Sequence, residues 1–106
     1  MTTINERTTS RIQITFVDFD GDPAQPTAAT WRLDDLTSGE SVVAETALTP
    51  TDGVAVLTIP PSAAAILTAT NRTETRRLTV VAEYGSSDDQ VTEEMDFEVR
   101  NLRFVP

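Results

Sequence analysis

The chain has 106 residues, which is enough for one domain with a single two-layer core and too few for a second. It has no Cys and no His, and its eight basic residues are all Arg, so thiolate chemistry, imidazole bases and Schiff-base lysines are excluded. The 17 acidic residues give a net charge of −9, which disfavours binding to nucleic acid and to anionic membranes.

The first residues of the chain carry no export or membrane signal. Residues 1–7 lack the apolar stretch of a signal peptide, and no apolar run approaches the ~20 residues that span a bilayer. We therefore expect a protein that is made and used without export. The first ten residues are polar, rich in Thr and aperiodic, which predicts a flexible arm over 1–10 followed by a single domain over 11–106.

Strict alternation of polar and apolar residues begins at Arg11. Ile12, Ile14 and Phe16 share one face of this segment, a period of two that predicts a half-buried strand. A Gly and two Pro then interrupt any strand over residues 18–26. A second strand is predicted over 27–34, and its inward residues are Ala29, Trp31 and Leu33.

The middle of the chain predicts two more strands and a short crossover. Gly39 ends a turn that leads into a weaker strand over 41–48, in which Val43 points inward. An Asp-Gly turn at 52–53 precedes an apolar, partly β-branched run over 54–59. After Pro60 and Pro61, Ser62 and three alanines predict one short crossover helix.

The last third of the chain predicts a long hairpin around a turn at 85–89. The inward residues are even-numbered on the first arm and odd-numbered on the second, so the two arms pair with a fixed parity. Either register that satisfies this parity near the turn places Arg77 opposite Asp96 or Glu98 on the outer face. Such a cross-strand ion pair contributes roughly 0.2–1 kcal/mol.

This pattern predicts an all-β fold, an immunoglobulin-like β-sandwich of six or seven antiparallel strands. Short strands separated by Pro and Gly turns at 8–15-residue spacing are typical of such sandwiches, and Trp31 is the expected centre of the core. A small barrel is the alternative architecture.

Asp18, Asp20 and Asp22 form the one pattern that suggests a metal. Alternating carboxylates can converge on Ca²⁺, yet the segment lacks the Gly and Glu positions of an EF-hand loop. The prediction is a solvated loop without a metal, and a calcium site is the weaker alternative.

The remaining acidic residues do not indicate catalysis. A glycosidase pair also requires a cleft lined with aromatic residues, and the chain has six aromatics, several of them needed for the core. We expect no enzymatic activity and no cofactor. The run Glu93, Glu94, Asp96 and Glu98 is interpreted as the wet face of a strand, with a docking surface for an Arg-rich partner as the alternative.

The end of the chain stays apolar where a monomer usually turns polar. Leu102 and Phe104 either extend the last strand into their own core, which is favoured, or dock on a neighbouring protein. The N-terminal arm offers the same choice, since disordered arms often order on binding. The residues predicted to bind a partner are Thr2, Ile4, Arg7, Leu102, Phe104 and Val105.

Four segments resemble a known class of proteins in order along the chain. They are Ala29–Gly39, Val56–Pro60, Thr73–Val80 and Phe97–Leu102, and together they are similar to small Ig-like structural proteins of tailed bacteriophage virions. The resemblance implies a capsid decoration (cement) protein, or a neck or tail accessory, with no catalytic residues.

The resemblance also implies partners and a location. The partners would be the major capsid protein or other virion proteins, with homo-oligomerisation possible, and assembly would take place in the bacterial cytoplasm before the protein becomes part of the virion. A cell-surface Ig-like module that binds glycan is the alternative from another class, although such modules usually occur in tandem behind a signal peptide.

Overall fold

The computed structural model describes residues 2–18, 20–85 and 89–104. In these residues the chain forms seven strands and two short 3₁₀ helices, so the predicted all-β class is confirmed. No helix in the described part of the chain is long and apolar enough to cross a membrane. The strands are β1 (Thr2–Asn5), β2 (Ser10–Thr15), β3 (Ala28–Asp35), β4 (Ser41–Leu48), β5 (Val54–Ile59), β6 (Thr73–Glu83) and β7 (Gln90–Arg100).

The strands form two sheets of unequal size. The large sheet has the order β1-β7-β6-β3-β4, and the small sheet pairs β2 with β5 in antiparallel fashion. Their apolar faces pack together as a β-sandwich. Because five strands face two, the small sheet covers only part of the large one.

The core follows the predicted alternation. Trp31 and Leu33 on β3 pack with Leu78 on β6 and with Leu57 and Ile59 on β5, and all five side chains are buried. Complete burial of one such side chain contributes about 1.5–3 kcal/mol, so this cluster holds the two sheets together. Val43 on β4 is partly buried against the same core.

The register of the β6–β7 hairpin is confirmed. Arg77 pairs with Asp96 across the two strands, and its Nε and Nη2 donate hydrogen bonds of 2.9 and 3.1 Å to the two carboxylate oxygens. These bonds hold the pKa of Asp96 below its ordinary value. Glu94 lies 3.5 Å from the same guanidinium on the outer face.

The predicted flexible arm over residues 1–10 is wrong for residues 2–5. These residues form β1, which pairs in parallel with the end of β7, so the strands are not all antiparallel. Ile4 packs against the core, while Thr2, Thr3 and Asn5 stay exposed. A single inward residue in four gives too weak an alternation to predict a strand.

Two further predictions are corrected. The crossover helix is only a 3₁₀ turn over Pro61–Ala64, because the extended backbone of Ala65 ends it after one turn. The last strand ends at Arg100, and Leu102–Phe104 forms a second 3₁₀ turn instead of continuing β7. Buried Asn101 ends the strand by donating hydrogen bonds to the carbonyls of Ala69 and Asn71.

A buried charge network holds the end of the sandwich where β3 and β6 meet. The Arg76 side chain is fully buried, and its Nη atoms lie 3.3 Å from the carboxylates of Asp35 and Glu74. Nη2 also donates to the carbonyl of Ala65 at 2.7 Å. Asp35 Oδ1 lies within ion-pair distance of Nη1 but accepts no hydrogen bond, and Arg76 Nε donates none. The network therefore combines ion pairs with hydrogen bonds, among them one from Ser38 N–H to Asp35 Oδ2 at 2.8 Å.

Glu74 joins this network to the crossover, which is the segment between β5 and β6 (residues 60–72). It accepts hydrogen bonds from the backbone N–H groups of Leu67 and Thr68 at 2.8 and 3.0 Å and from the Asn71 side chain at 3.0 Å. Burial acts to raise the pKa of Glu74. The three hydrogen bonds and the charge of Arg76 outweigh burial and lower that pKa below its ordinary value.

We predict that Arg76→Ala destabilises the fold by about 3–5 kcal/mol, because it leaves two buried carboxylates without their cation. The neighbouring Arg77→Ala removes a solvent-accessible pair and is expected to cost far less. Urea denaturation followed by the fluorescence of Trp31 measures both changes. Equal costs for the two variants would contradict the structural role of Arg76.

We also predict a contribution of Glu74 to acid stability. A carboxylate with a lowered pKa stabilises the fold above its unfolded value of 4.5, and this stabilisation is lost as the pH falls through the folded pKa. Glu74→Gln should be less stable at neutral pH and lose less on acidification below about pH 4.5. Denaturation across this range tests the prediction, with Glu45→Gln on exposed β4 as the control. An unchanged pH slope in Glu74→Gln would refute it.

Candidate partner-binding surface

The unequal sheets leave an apolar opening between β2 and the β6–β7 hairpin. This opening, the trench, has a volume of about 380 Å³. Val91 and Met95 lie on the inner face of β7, yet they are 43% and 41% exposed because no strand covers them. The residues that line the trench include Ile12, Ile14, Val80, Val91, Glu93 and Met95.

Both long sides of the trench are strand edges. β2 pairs only with β5 among the described strands, and β1 pairs with β7 only from Phe97 onward. The bond from Phe16 N–H to the Gly53 carbonyl fixes which residues of β2 face β5. By the alternation of an antiparallel ladder, the backbone groups of Arg11, Gln13 and Thr15 point away from β5 toward the open edge.

Glu93 places a carboxylate in this apolar surface. It pairs with buried Val80 and shares the inward parity of Val91 and Met95, so its side chain lies on the core side of β7. The interpretation of Glu93 and Glu94 as one wet face is therefore wrong for Glu93. Glu94, Asp96 and Glu98 do lie on the outer face, opposite Thr79, Arg77 and Thr75, although Glu94 also borders the rim of the trench.

The end of the trench near the β6–β7 turn is negatively charged. Tyr84 lines the trench there and is partly buried against the core. Burial, together with the nearby carboxylates of Asp89 and Asp18, raises the pKa of the Tyr84 hydroxyl. Asp18, Asp89 and Glu93 thus surround the apolar floor of the trench with negative charge, which favours a basic partner.

A second hollow of about 370 Å³ continues the trench toward β1. It shares Ile12 and Met95 with the trench and adds Thr2, Ile4 and Phe97. Two of the residues predicted to bind a partner, Thr2 and Ile4, therefore line the same open side of the sandwich, although they do so from a strand and not from a mobile arm.

The other predicted residues lie near the end of the sandwich. Arg7 is exposed in the turn after β1, with a left-handed φ of 57° and its N–H bonded to the Ala64 carbonyl. Leu102 is 44% exposed, so the favoured expectation that it extends into the core is wrong. Phe104 is half-buried, with the Arg72 guanidinium 5.0 Å from its ring centroid. Val105 lies outside the described residues.

The loop with Asp18, Asp20 and Asp22 forms a compact exposed cluster, and one carboxylate oxygen from each lies within 4.8 Å of the others. Asp18 Oδ1 already accepts hydrogen bonds from the backbone N–H groups of Asp20 and Asp22 at 2.9 and 3.0 Å. These bonds account for the Asp-rich sequence as a turn that satisfies its own backbone.

Sequence reasoning missed the trench and the inward position of Glu93. The signal was available, because the parity that places Val91 and Met95 inward applies equally to the residue between them. Comparisons with protein families, with curated proteins and with solved structures found no match for this chain.

Proposed function

We propose that the chain is a non-enzymatic structural protein of a tailed-phage virion, a capsid decoration protein that binds the assembled head. The observation that carries the binding role is the trench, an exposed apolar surface bordered by unpaired strand edges in the described part of the fold. Exposed apolar surfaces with polar rims are typical of protein–protein interaction sites. The virion assignment comes from the resemblance of four segments to Ig-like virion proteins.

The strand order supports the Ig-like part of this proposal. In variable-type immunoglobulin domains the last two strands lie beside the third strand and its following hairpin strand. The order β7-β6-β3-β4 in the large sheet matches that arrangement. The small sheet has two strands where such domains have more, and this difference produces the trench.

The binding mechanism would be adhesive. A shell presents many equivalent sites, so contacts of modest strength act together when neighbouring copies engage one lattice. A protein that binds only the assembled lattice stabilises it by mass action. A trench of about 380 Å³ with an apolar floor is suited to such repeated, modest contacts.

Co-sedimentation with separated heads and tails of the phage that encodes the chain tests this proposal. We expect many copies on each head, whereas a few copies near one vertex or on tails would indicate a neck or tail accessory. Binding to neither particle would refute the virion assignment and favour the glycan-binding alternative.

Point substitutions then assign the surface that binds. We expect Met95→Glu in the trench to abolish sedimentation with heads, because it places a second charge on the apolar floor. Leu102→Glu at the end of the sandwich adds the same charge at a similarly exposed position and should leave binding intact. Thermal melting shows whether each variant is folded. Loss of binding in Leu102→Glu alone would move the site to the chain end.

A further inference from the structure

We propose that the trench receives an extended segment of the partner protein, which adds as a strand to the free edge of β2 and places an Arg or Lys beside Glu93. This inference rests on the proposed function only for the source of the segment, a virion protein. Its chemistry is derived from the trench itself.

The backbone of β2 provides the first part of the recognition. β2 has six residues, about 20 Å in extended form, and the N–H and C=O groups of Arg11, Gln13 and Thr15 point to the open side. An added strand would pair with these groups and enlarge the small sheet from two strands to three. Main-chain hydrogen bonds of this kind give affinity in strand addition, and side-chain pockets give specificity.

The floor of the trench provides the second part. A strand in this position projects every second side chain toward the inner face of β7, where Val91, Glu93 and Met95 follow at the same spacing of two. The matching segment therefore carries an apolar residue, a basic residue and an apolar residue at alternate positions. Partial burial strengthens the attraction between Glu93 and the basic side chain.

The charge of the chain argues against a second copy as the occupant. Each copy has a net charge of −9, and the carboxylates of Asp18 and Asp89, which lie near Tyr84, make the end of the trench acidic. Two copies joined along β2 would bring Glu93 of each into the same apolar region. An inward-pointing charge near an open edge is a known protection against such pairing. A basic segment, by contrast, would be attracted by the Glu93 carboxylate.

The test uses the full chain and a fluorescein-labelled synthetic peptide, Gly-Thr-Val-Thr-Arg-Thr-Val-Thr-Gly. Two control peptides replace its Arg by Glu or by citrulline, which keeps the shape and removes the charge. Fluorescence anisotropy measures the three affinities. We expect the Arg peptide to bind most tightly and the Glu peptide most weakly.

Protein variants then test the role of Glu93. Glu93→Gln should weaken the binding of the Arg peptide about fivefold, which is the upper end of the effect of a solvent-accessible ion pair. Glu45→Gln removes the same charge from exposed β4 and should have no effect. Glu93→Arg should reverse the preference so that the Glu peptide binds more tightly than the Arg peptide, which loss of folding could not produce.

Hydrogen exchange tests the strand addition directly. Binding of the Arg peptide should slow exchange at the amides of Arg11, Gln13 and Thr15, which face the open edge, more than at Ile12 and Ile14, which already face β5. Equal affinities for the three peptides, no measurable binding, or unchanged exchange at the three amides would overturn the proposal.

The outcomes separate this proposal from the virion assignment. Binding to heads without binding of the peptide would leave the virion assignment standing and refute strand addition. Binding of the peptide without binding to heads or tails would do the reverse. Self-association of Glu93→Gln with unchanged peptide affinity would show that Glu93 only protects an open edge, and would overturn its proposed role in recognition.

Discussion

The buried guanidinium of Arg76 is the interaction on which one end of the sandwich depends. It lies between Asp35, at the end of β3, and Glu74, near the start of β6, and it also bonds the carbonyl of Ala65 in the crossover. Two strands and the connection between the sheets are thereby fixed by one cation. The cost of removing these charges from water is large and offsets much of their mutual attraction, so losing one partner destabilises the fold more than the intact network stabilises it. With that end fixed, the crossover delivers the chain from β5 to β6 at a defined distance between the sheets.

The same crossover determines what the sandwich leaves open. Residues 60–72, which join β5 to β6, contain one 3₁₀ turn and no strand, and residues 49–53 join β4 to β5, so the small sheet has no strand besides β2 and β5 in the described residues. The burial of the inward residues of β7 therefore changes along the strand. Phe97 and Val99 are buried where β1 and the small sheet meet it, whereas Val91 and Met95 stay more than two-fifths exposed beyond that coverage. The trench is thus a result of topology and not of weak packing, since Val91 and Met95, on either side of Glu93, keep the inward apolar positions that Phe97 and Val99 continue.

The alternation of polar and apolar residues predicted those features of the fold that depend on a single strand or a single hairpin. The inward residues of β2, β3 and β6 follow from period two, and parity was enough to place Arg77 opposite Asp96 or Glu98, of which the structure has Asp96. It could not predict β1, whose single inward residue pairs with a strand more than ninety positions away. Nor could it predict the network of Arg76. Glu74 and Arg76 occupy inward positions, whereas charged residues such as Glu and Arg are normally exposed to solvent. Partners that come from β3 and from the crossover make those charges acceptable, and such partners are a property of the fold.

Glu93 and Arg76 are both charged residues at inward positions of their strands, but the fold surrounds them differently. At Arg76 the fold supplies carboxylates, a carbonyl and complete burial, so the charge becomes structural. At Glu93 the fold supplies no cation within ion-pair distance in the described residues, and the side chain is exposed only because the small sheet stops short of it. Covering this position with an apolar strand would bury an unpaired carboxylate at a cost of several kcal/mol. A strand that closes the sandwich here and brings its own positive charge avoids this cost, which is the physical basis of the proposed preference for a basic segment.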